Sequence, residues 1–299
     1  MSEFATGPVT VSVPATSANL GPGYDALGLA LDLRDEVTAR VVTGRGSISV
    51  TGIGDGELPL DEGHLVHRSM VRTFEEMGVA APQVDLECLN TIPHARGLGS
   101  SSAAIVAGVC LARGLVAGGA GLLDDEAALD LAARIEGHPD NVAPALLGGF
   151  AIAYADGGRY RAARLAVDPR VRVALLVPPD AVATSLARGL LPEQVSHRDA
   201  AVNTGRAALM VAALTGRPDL LAVATEDLLH QSYRESAMPH TLAVLRALRA
   251  DGVPAAVSGA GPSVLAFVDA ASHERAVGAA PHGWQVLTPA ISPDGALVS

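Results

Sequence analysis

Residues 93–112 constrain this chain more than any other stretch. They read Pro93-His94-Ala95-Arg96-Gly97-Leu98-Gly99-Ser100-Ser101-Ser102-Ala103-Ala104 and continue in small and apolar residues to Ala112. The run after Ser102 has almost no polar face, which predicts a buried helix. A helix start leaves backbone N–H groups without intrahelical partners, at the positive end of the helix dipole. Gly97 and Gly99 allow the backbone to approach an anion closely, and the serines add further donors. The stretch is therefore read as a phosphate seat on a buried helix. The alternative is a glycine-rich helix start whose small residues serve close packing alone. Neither GxxxxGK[ST] nor GxGxxG fits the spacing.

Composition narrows the class. The chain has 299 residues, enough for two modest domains or one large one. Hydrophobic residues make up 49% and charged residues 18%, which suits a globular protein with a generous core. Aromatics are only 3%, so Ala, Val and Leu must build that core. The net charge of −11 and the lack of a dense basic cluster speak against a nucleic-acid groove. Cys88 and Cys110 read as reduced core residues of a cytoplasmic protein. No leader pattern opens the chain. The longest apolar stretches, 103–112 and 141–155, are short or broken, so no membrane partner is expected.

Taken in order, residues 1–8 read as a loose tail. Val9, Val11 and Val13 alternate with polar residues as a strand that ends at Pro14. Two extended pieces over 26–33 and 36–42 and another over 48–50 precede a helix over 65–76. A strand over 84–88 then feeds the glycine turn. Asp124 caps a helix over 125–135. Strands at 150–154 and 160–165 flank an Asp156-Gly157-Gly158 hairpin turn. After a change near residue 168 come a strand over 171–177 and helices over 184–190, 199–214, 220–230 and 240–251. Strands over 254–257 and 264–268 enclose a second glycine loop at 258–263. A helix over 272–278 and a strand over 284–287 follow. This alternation predicts an α+β sandwich, divided as 1–167 and 168–299.

Two further loops hold chemistry. Residues 15–25, Ala15-Thr16-Ser17-Ala18-Asn19-Leu20-Gly21-Pro22-Gly23-Tyr24-Asp25, are dense in turn formers, with Asn19 and Asp25 as candidates. An Asx turn or helix cap is the plainer reading of either residue. Residues 136–141, Glu136-Gly137-His138-Pro139-Asp140-Asn141, crowd groups able to bind metal, protons or substrate. Glu136 falls at the end of the helix predicted over 125–135, an unfavourable place for a carboxylate.

The order and content of these loops resemble the GHMP small-molecule kinases (galacto-, homoserine, mevalonate and phosphomevalonate kinases). Residues 14–25 and 138–144 are most similar to the homoserine kinases among them. The resemblance implies an N-terminal domain like domain 2 of ribosomal protein S5 and a ferredoxin-like C-terminal α/β sandwich, with nucleotide in the cleft between them. It implies Mg2+-dependent transfer of the γ-phosphoryl group of ATP to the side-chain hydroxyl of L-homoserine, on the route to threonine, by a homodimer. The implied nucleotide residues are Pro93, Arg96, Gly97, Leu98, Gly99, Ser100, Ser101, Ser102 and His64, with Ser101 and Glu136 on the metal. Asn19, Asp25, His138, Asn141, Thr184, Arg188 and Arg234 would surround the acceptor. Asp25 suits its ammonium, and the arginines suit its carboxylate.

The chain departs from its relatives in places. His64 stands where an asparagine is common beside the adenine, and Ser102 where alanine is usual. Asn141 occupies the place of an aspartate in mevalonate kinase-like relatives, and an amide takes no proton at neutral pH. Asp140 is then the obvious alternative base and His138 a lesser one. Positioning and electrostatics without a dedicated base are the expected mechanism. A mevalonate kinase-like activity and a non-catalytic nucleotide-binding homologue are the alternatives.

Overall fold

The computed structural model describes residues 4–299. Of the tail expected over 1–8, residues 1–3 lie outside the described residues. Phe4 is already docked, bridging Val116 and meeting Phe74 edge-on at 6.2 Å, while the Ala5 amide donates to the Leu115 carbonyl.

In chain order the elements begin with β1 (Val9–Ala18), β2 (Leu27–Val42), β3 (Ile48–Gly52), α1 (Leu65–Glu76) and β4 (Gln83–Asn90). Next come α2 (Ser100–Leu115), α3 (Gly119–Leu122), α4 (Asp125–Glu136), α5 (Val142–Leu147), β5 (Phe150–Asp156) and β6 (Arg159–Leu165). The second half holds β7 (Arg172–Val177), α6 (Thr184–Gly189), α7 (His197–Thr215), α8 (Leu221–Ala224) and α9 (Pro239–Ala250). It closes with β8 (Ala255–Val257), β9 (Val264–Val268), α10 (Ala270–Gly278), β10 (Gln285–Leu287) and β11 (Leu297–Val298).

The first sheet has the order β11-β1-β2-β4-β3, and the β5–β6 hairpin joins the start of β2. Among the described residues only β3 and β4 run parallel in it. Helix α1 is amphipathic: Val66, Met70, Thr73 and Phe74 recur at helical spacing and are buried. Helix α2 is buried over nearly its whole length, as its composition requires. Gly108 lets α1 and α2 pack closely, because a Cβ there would lie 2.6 Å from the Val66 carbonyl oxygen. Asp124 caps α4 by accepting from the Ala127 amide.

The second sheet has the order β10-β7-β9-β8, antiparallel throughout. With its crossover helices this is the βαββαβ ferredoxin-like arrangement. Period-two alternation divides its strands between two cores. Val173, Leu175 and Val177 join Leu265 and Phe267 in the core shared with the first sheet. Ala174, Leu176, Val264 and Ala266 pack with Leu242 and Leu245 of α9 on the other face.

Several local expectations are corrected. β1 does not stop at Pro14; a register shift between Pro14 and Ala15 absorbs the ring, and the strand runs to Ala18. The two extended pieces at 26–33 and 36–42 are one strand, β2, because Asp35 is buried and accepts from the Thr91 and Ile92 amides at 2.6 and 2.9 Å. Residues 142–147, for which no element is predicted, form a short helix with Pro144 in its first turn, where a missing N–H costs no intrahelical bond. The helix expected over 220–230 ends at Ala224, where Asp227 instead receives the Leu229, His230 and Gln231 amides. The last segment leaves the second sheet: Ile291 bridges Leu31, and β11 adds to β1 as an edge strand. Residue 168 otherwise separates the strands of the two sheets.

Gly28 is where β2 supports the site, since a Cβ there would lie 2.0 Å from the Asp140 carbonyl oxygen. Gly28→Ala should lower unfolding free energy by about 2–3 kcal/mol, measured by urea denaturation. An unchanged midpoint would mean that the 136–141 turn is not seated on this strand.

Candidate active site

A cleft of about 450 Å³ runs along the mouth of α2, bounded by loops from both sheets. Gly97 and Gly99 adopt φ of 74° and 70°. A Cβ on Gly97 would lie 2.2 Å from the Ser258 carbonyl oxygen, and one on Gly99 1.9 Å from Thr16 Oγ1. Both positions therefore demand glycine on conformation and on space. No side chain caps α2. Its leading amides open at the cleft, beside Gly99, Ser100 and Ser101.

Opposite this mouth, α4 ends at Glu136, and Gly137 turns the chain out of the helix with φ of 92°. The Glu136 carboxylate accepts from Ser101 Oγ at 2.5 Å and Ser102 Oγ at 2.9 Å. Asp140 is buried and bonded to His138 Nδ1 at 2.7 Å, while His138 Nε2 faces Glu136 at 3.8 Å. Burial opposes a charge on His138, but the bond to Asp140 and the charges of Asp140 and Glu136 outweigh it, so its pKa rises above 6.5. Asn141 Oδ1 accepts from Thr16 Oγ1 at 2.8 Å. That bond fixes the amide orientation and leaves Nδ2 as the donor end, with only a 3.5 Å contact to Asp140.

The far end of the cleft is cationic. Arg188, on α6, forms a two-pronged pair with Asp25 at 3.0 and 2.6 Å, and its bond to that carboxylate raises its basicity further. Arg234 is 1% exposed, donates to the Gly259 carbonyl at 3.1 Å and leaves Nε without a partner. Burial lowers its pKa most, and Arg188 adds to that, against the charges of Asp227 and Asp25. Asn19 lines the cleft, yet its amide donates to the Gly259 carbonyl and accepts from the Asp25 amide.

The two halves of the molecule meet at this cleft. The sequence profile of the GHMP kinases N terminal domain matches residues 64–149, and that of the GHMP kinases C terminal matches residues 209–284. A homoserine kinase of Streptomyces avermitilis is 52% identical over 295 residues, covering 99% of this chain and 97% of that protein. One from Streptomyces coelicolor is 50% identical, covering 99% and 96%. The crystal structure of homoserine kinase from Cytophaga hutchinsonii superposes with a TM-score of 0.84 at 28% identity, covering 98% of this chain and 97% of that one. The chain belongs to the GHMP kinase family, in its homoserine kinase branch.

Against the residues that this likeness singles out, the cleft gathers Asn19, His64, Gly97, Leu98, Gly99, Ser100, Ser101, Glu136, His138, Asp140, Asn141, Thr184, Arg188 and Arg234. Asp25 reaches it through Arg188. Ser102 is buried behind it on Glu136. Pro93 and Arg96 do not line it. Arg96 spends its guanidinium on the carbonyls of Pro178, His94 and Pro179, fastening the glycine loop to the segment before α6. His64 is buried with Nδ1 unpartnered, and burial lowers its pKa. The sequence reading passed over Thr16 and Tyr24, although both lie inside the 15–25 motif. In a chain with so few aromatics, a tyrosine between Gly23 and Asp25 was the available signal.

The His138–Asp140 pair carries a pH signature. The folded imidazole is more basic than the unfolded one, so the pair stabilises fully below the unfolded pKa of about 6.5 and loses that contribution as pH rises through the folded value. Urea denaturation of wild type against His138→Asn, from about pH 5 to about pH 8, should show the gap shrinking with rising pH. A gap that widened would contradict the pairing. Thr16→Val, which leaves Asn141 Oδ1 without its donor, should cost about 1–2 kcal/mol of stability and about ten-fold in kcat. Unchanged kcat would separate Asn141 orientation from catalysis.

Proposed function

We propose that this chain binds ATP and L-homoserine in the one cleft and transfers the γ-phosphoryl group to the side-chain hydroxyl, giving O-phospho-L-homoserine and ADP. The reading rests above all on the cleft's polarity. A helix mouth with hydroxyls stands at one end and a pair of arginines at the other. The first suits a triphosphate, and the second suits the carboxylate of an amino acid.

Phosphoryl transfer depends on positioning and charge stabilisation more than on covalent chemistry. The leading amides of α2, with Gly97 to Gly99 turned close beneath them, would cradle the phosphates. Arg188 and Arg234 would hold the acceptor carboxylate, and Asp25 its ammonium. Asn141 Nδ2, fixed by Thr16, would donate to the acceptor hydroxyl and orient it. Asp140 is already bonded to His138, which supports a reaction without a dedicated base; the hydroxyl proton then passes to a phosphate oxygen or to solvent.

Ser101 Oγ and a Glu136 oxygen fit a magnesium ion, because two hydroxyls converge there on one carboxylate oxygen and the ion favours hard oxygen donors. When bound, Mg2+ would neutralise phosphate charge. His64 would face the adenine through its unpartnered Nδ1. We further take the enzyme to be a homodimer in the cytoplasm. The exposed Leu297 and Val298 on the edge strand β11 support association. Among the described residues no helix is long and apolar enough to cross a membrane.

ADP release with Mg-ATP, compared across L-homoserine, L-serine, L-threonine and mevalonate, tests this directly. Turnover should be strong on L-homoserine alone; turnover on mevalonate would overturn the acceptor assignment. Glu136→Gln should lower kcat/KM about a hundred-fold while the fold, read by circular dichroism, is retained. If Asp140→Ala stayed folded and lost activity entirely in kcat, the base-free mechanism would fall.

A further inference from the structure

The acceptor end of the cleft holds an aromatic residue that none of the roles above uses. Tyr24 follows Gly23 and precedes Asp25, whose φ of 55° turns its carboxylate to Arg188. The Tyr24 hydroxyl accepts from Arg188 Nη1 at 2.9 Å. The Arg188 guanidinium carbon lies 5.6 Å from the ring centroid, and that of Arg234 lies 5.8 Å away. Both distances fall within cation–π reach. The ring is itself supported: His230 stacks on it at 5.3 Å with a 33° tilt, and His230 Nε2 is 2.6 Å from the Gly21 carbonyl oxygen.

We propose that Tyr24 is a positioning residue of the acceptor site, one phenol backing both guanidiniums while its oxygen sets the angle of Arg188. The inference rests on the reading of Arg188 and Arg234 as carboxylate ligands.

Electrostatics explains why an aromatic serves here. Two guanidiniums side by side repel, and Arg234 is buried. The negative face of a ring offers both cations a partner that adds no net charge. A second carboxylate would neutralise the arginines and compete with the substrate's own. Burial, with the nearby Asp25 charge, raises the Tyr24 pKa, so the phenol keeps its proton. Its oxygen can accept from Arg188 and its O–H remains a donor, so the carboxylate held by the arginines meets a third polar group. His230 behind it is buried, and that burial lowers its pKa. A neutral imidazole donates Nε2–H to Gly21 and adds no third cation to the cluster.

Tyr24→Phe keeps the ring and removes the oxygen. We expect KM for L-homoserine to rise about ten-fold, KM for ATP to stay within about two-fold and the melting temperature to hold. Tyr24→Leu, which also removes the ring, should raise KM for L-homoserine about ten-fold further. An unchanged KM for L-homoserine in Tyr24→Phe overturns the proposal. So does an equal rise in both KM values, which marks general loosening. Wild-type enzyme that binds ATP but does not turn over L-homoserine overturns the functional reading itself, and the acceptor role of Tyr24 with it.

Discussion

The structure depends on one close approach. The glycine turn at the mouth of α2 sits wedged between elements of both sheets, with the Ser258 carbonyl against Gly97 and Thr16 against Gly99. Ser258 Oγ also reaches the Gly97 carbonyl at 2.6 Å and Ser17 Oγ at 2.8 Å. A glycine loop left free would pay a large conformational entropy on binding an anion. Here the loop is already held by contacts that only glycine permits. The same contacts tie the β8–β9 hairpin of the second sheet to β1 of the first. The 258–263 turn of that hairpin braces the glycine turn at the mouth of α2.

Around that wedge most of the charged and amide groups are paired with one another, several of them across long stretches of chain. Glu136 serves two serines, Asp140 serves His138, and Asn141 serves Thr16. Asp25 and Arg188, 163 residues apart, compensate each other. Buried or half-buried charges are tolerable only on such terms. On the proposed function, a zwitterionic amino acid, which carries both signs, would meet a pair whose members match its own groups. An acceptor with only a carboxylate would leave Asp25 without an ammonium to take up. Under that proposal, selectivity for an amino acid would follow from charge compensation as much as from shape.

The sequence disclosed what local physics controls. Helix α1 was legible to the residue because its apolar spacing, the break at Gly78 and the preceding loop agree. The glycine turn and the buried helix behind it were legible because Gly97, Gly99 and the apolar run after Ser102 each point to a local geometry. What escaped was decided by tertiary partners. Asp35 looks like a break between strands until Thr91 and Ile92 supply their amides. The 220–230 segment has helical composition, but Asp227 captures three amides that a helix would need. The three carbonyls that take the Arg96 guanidinium lie partly in the segment before α6, which the motif around Arg96 does not name. Tyr24 gains its meaning only from arginines more than 160 residues away in the chain.

The absence of an acidic residue at position 141 bears on how the rate is achieved. An aspartate there would have to accept Thr16 and stand beside Asp140, two carboxylates in a buried place, and one of them would be driven to protonate. Asparagine avoids that conflict. Its oxygen is spent on Thr16, so its nitrogen is presented with a fixed direction. The neighbouring carboxylate is held by His138, which favours the charged imidazole. In the proposed mechanism the arrangement would give up a base and gain a donor that needs no reorganisation, a form of catalysis suited to phosphoryl transfer.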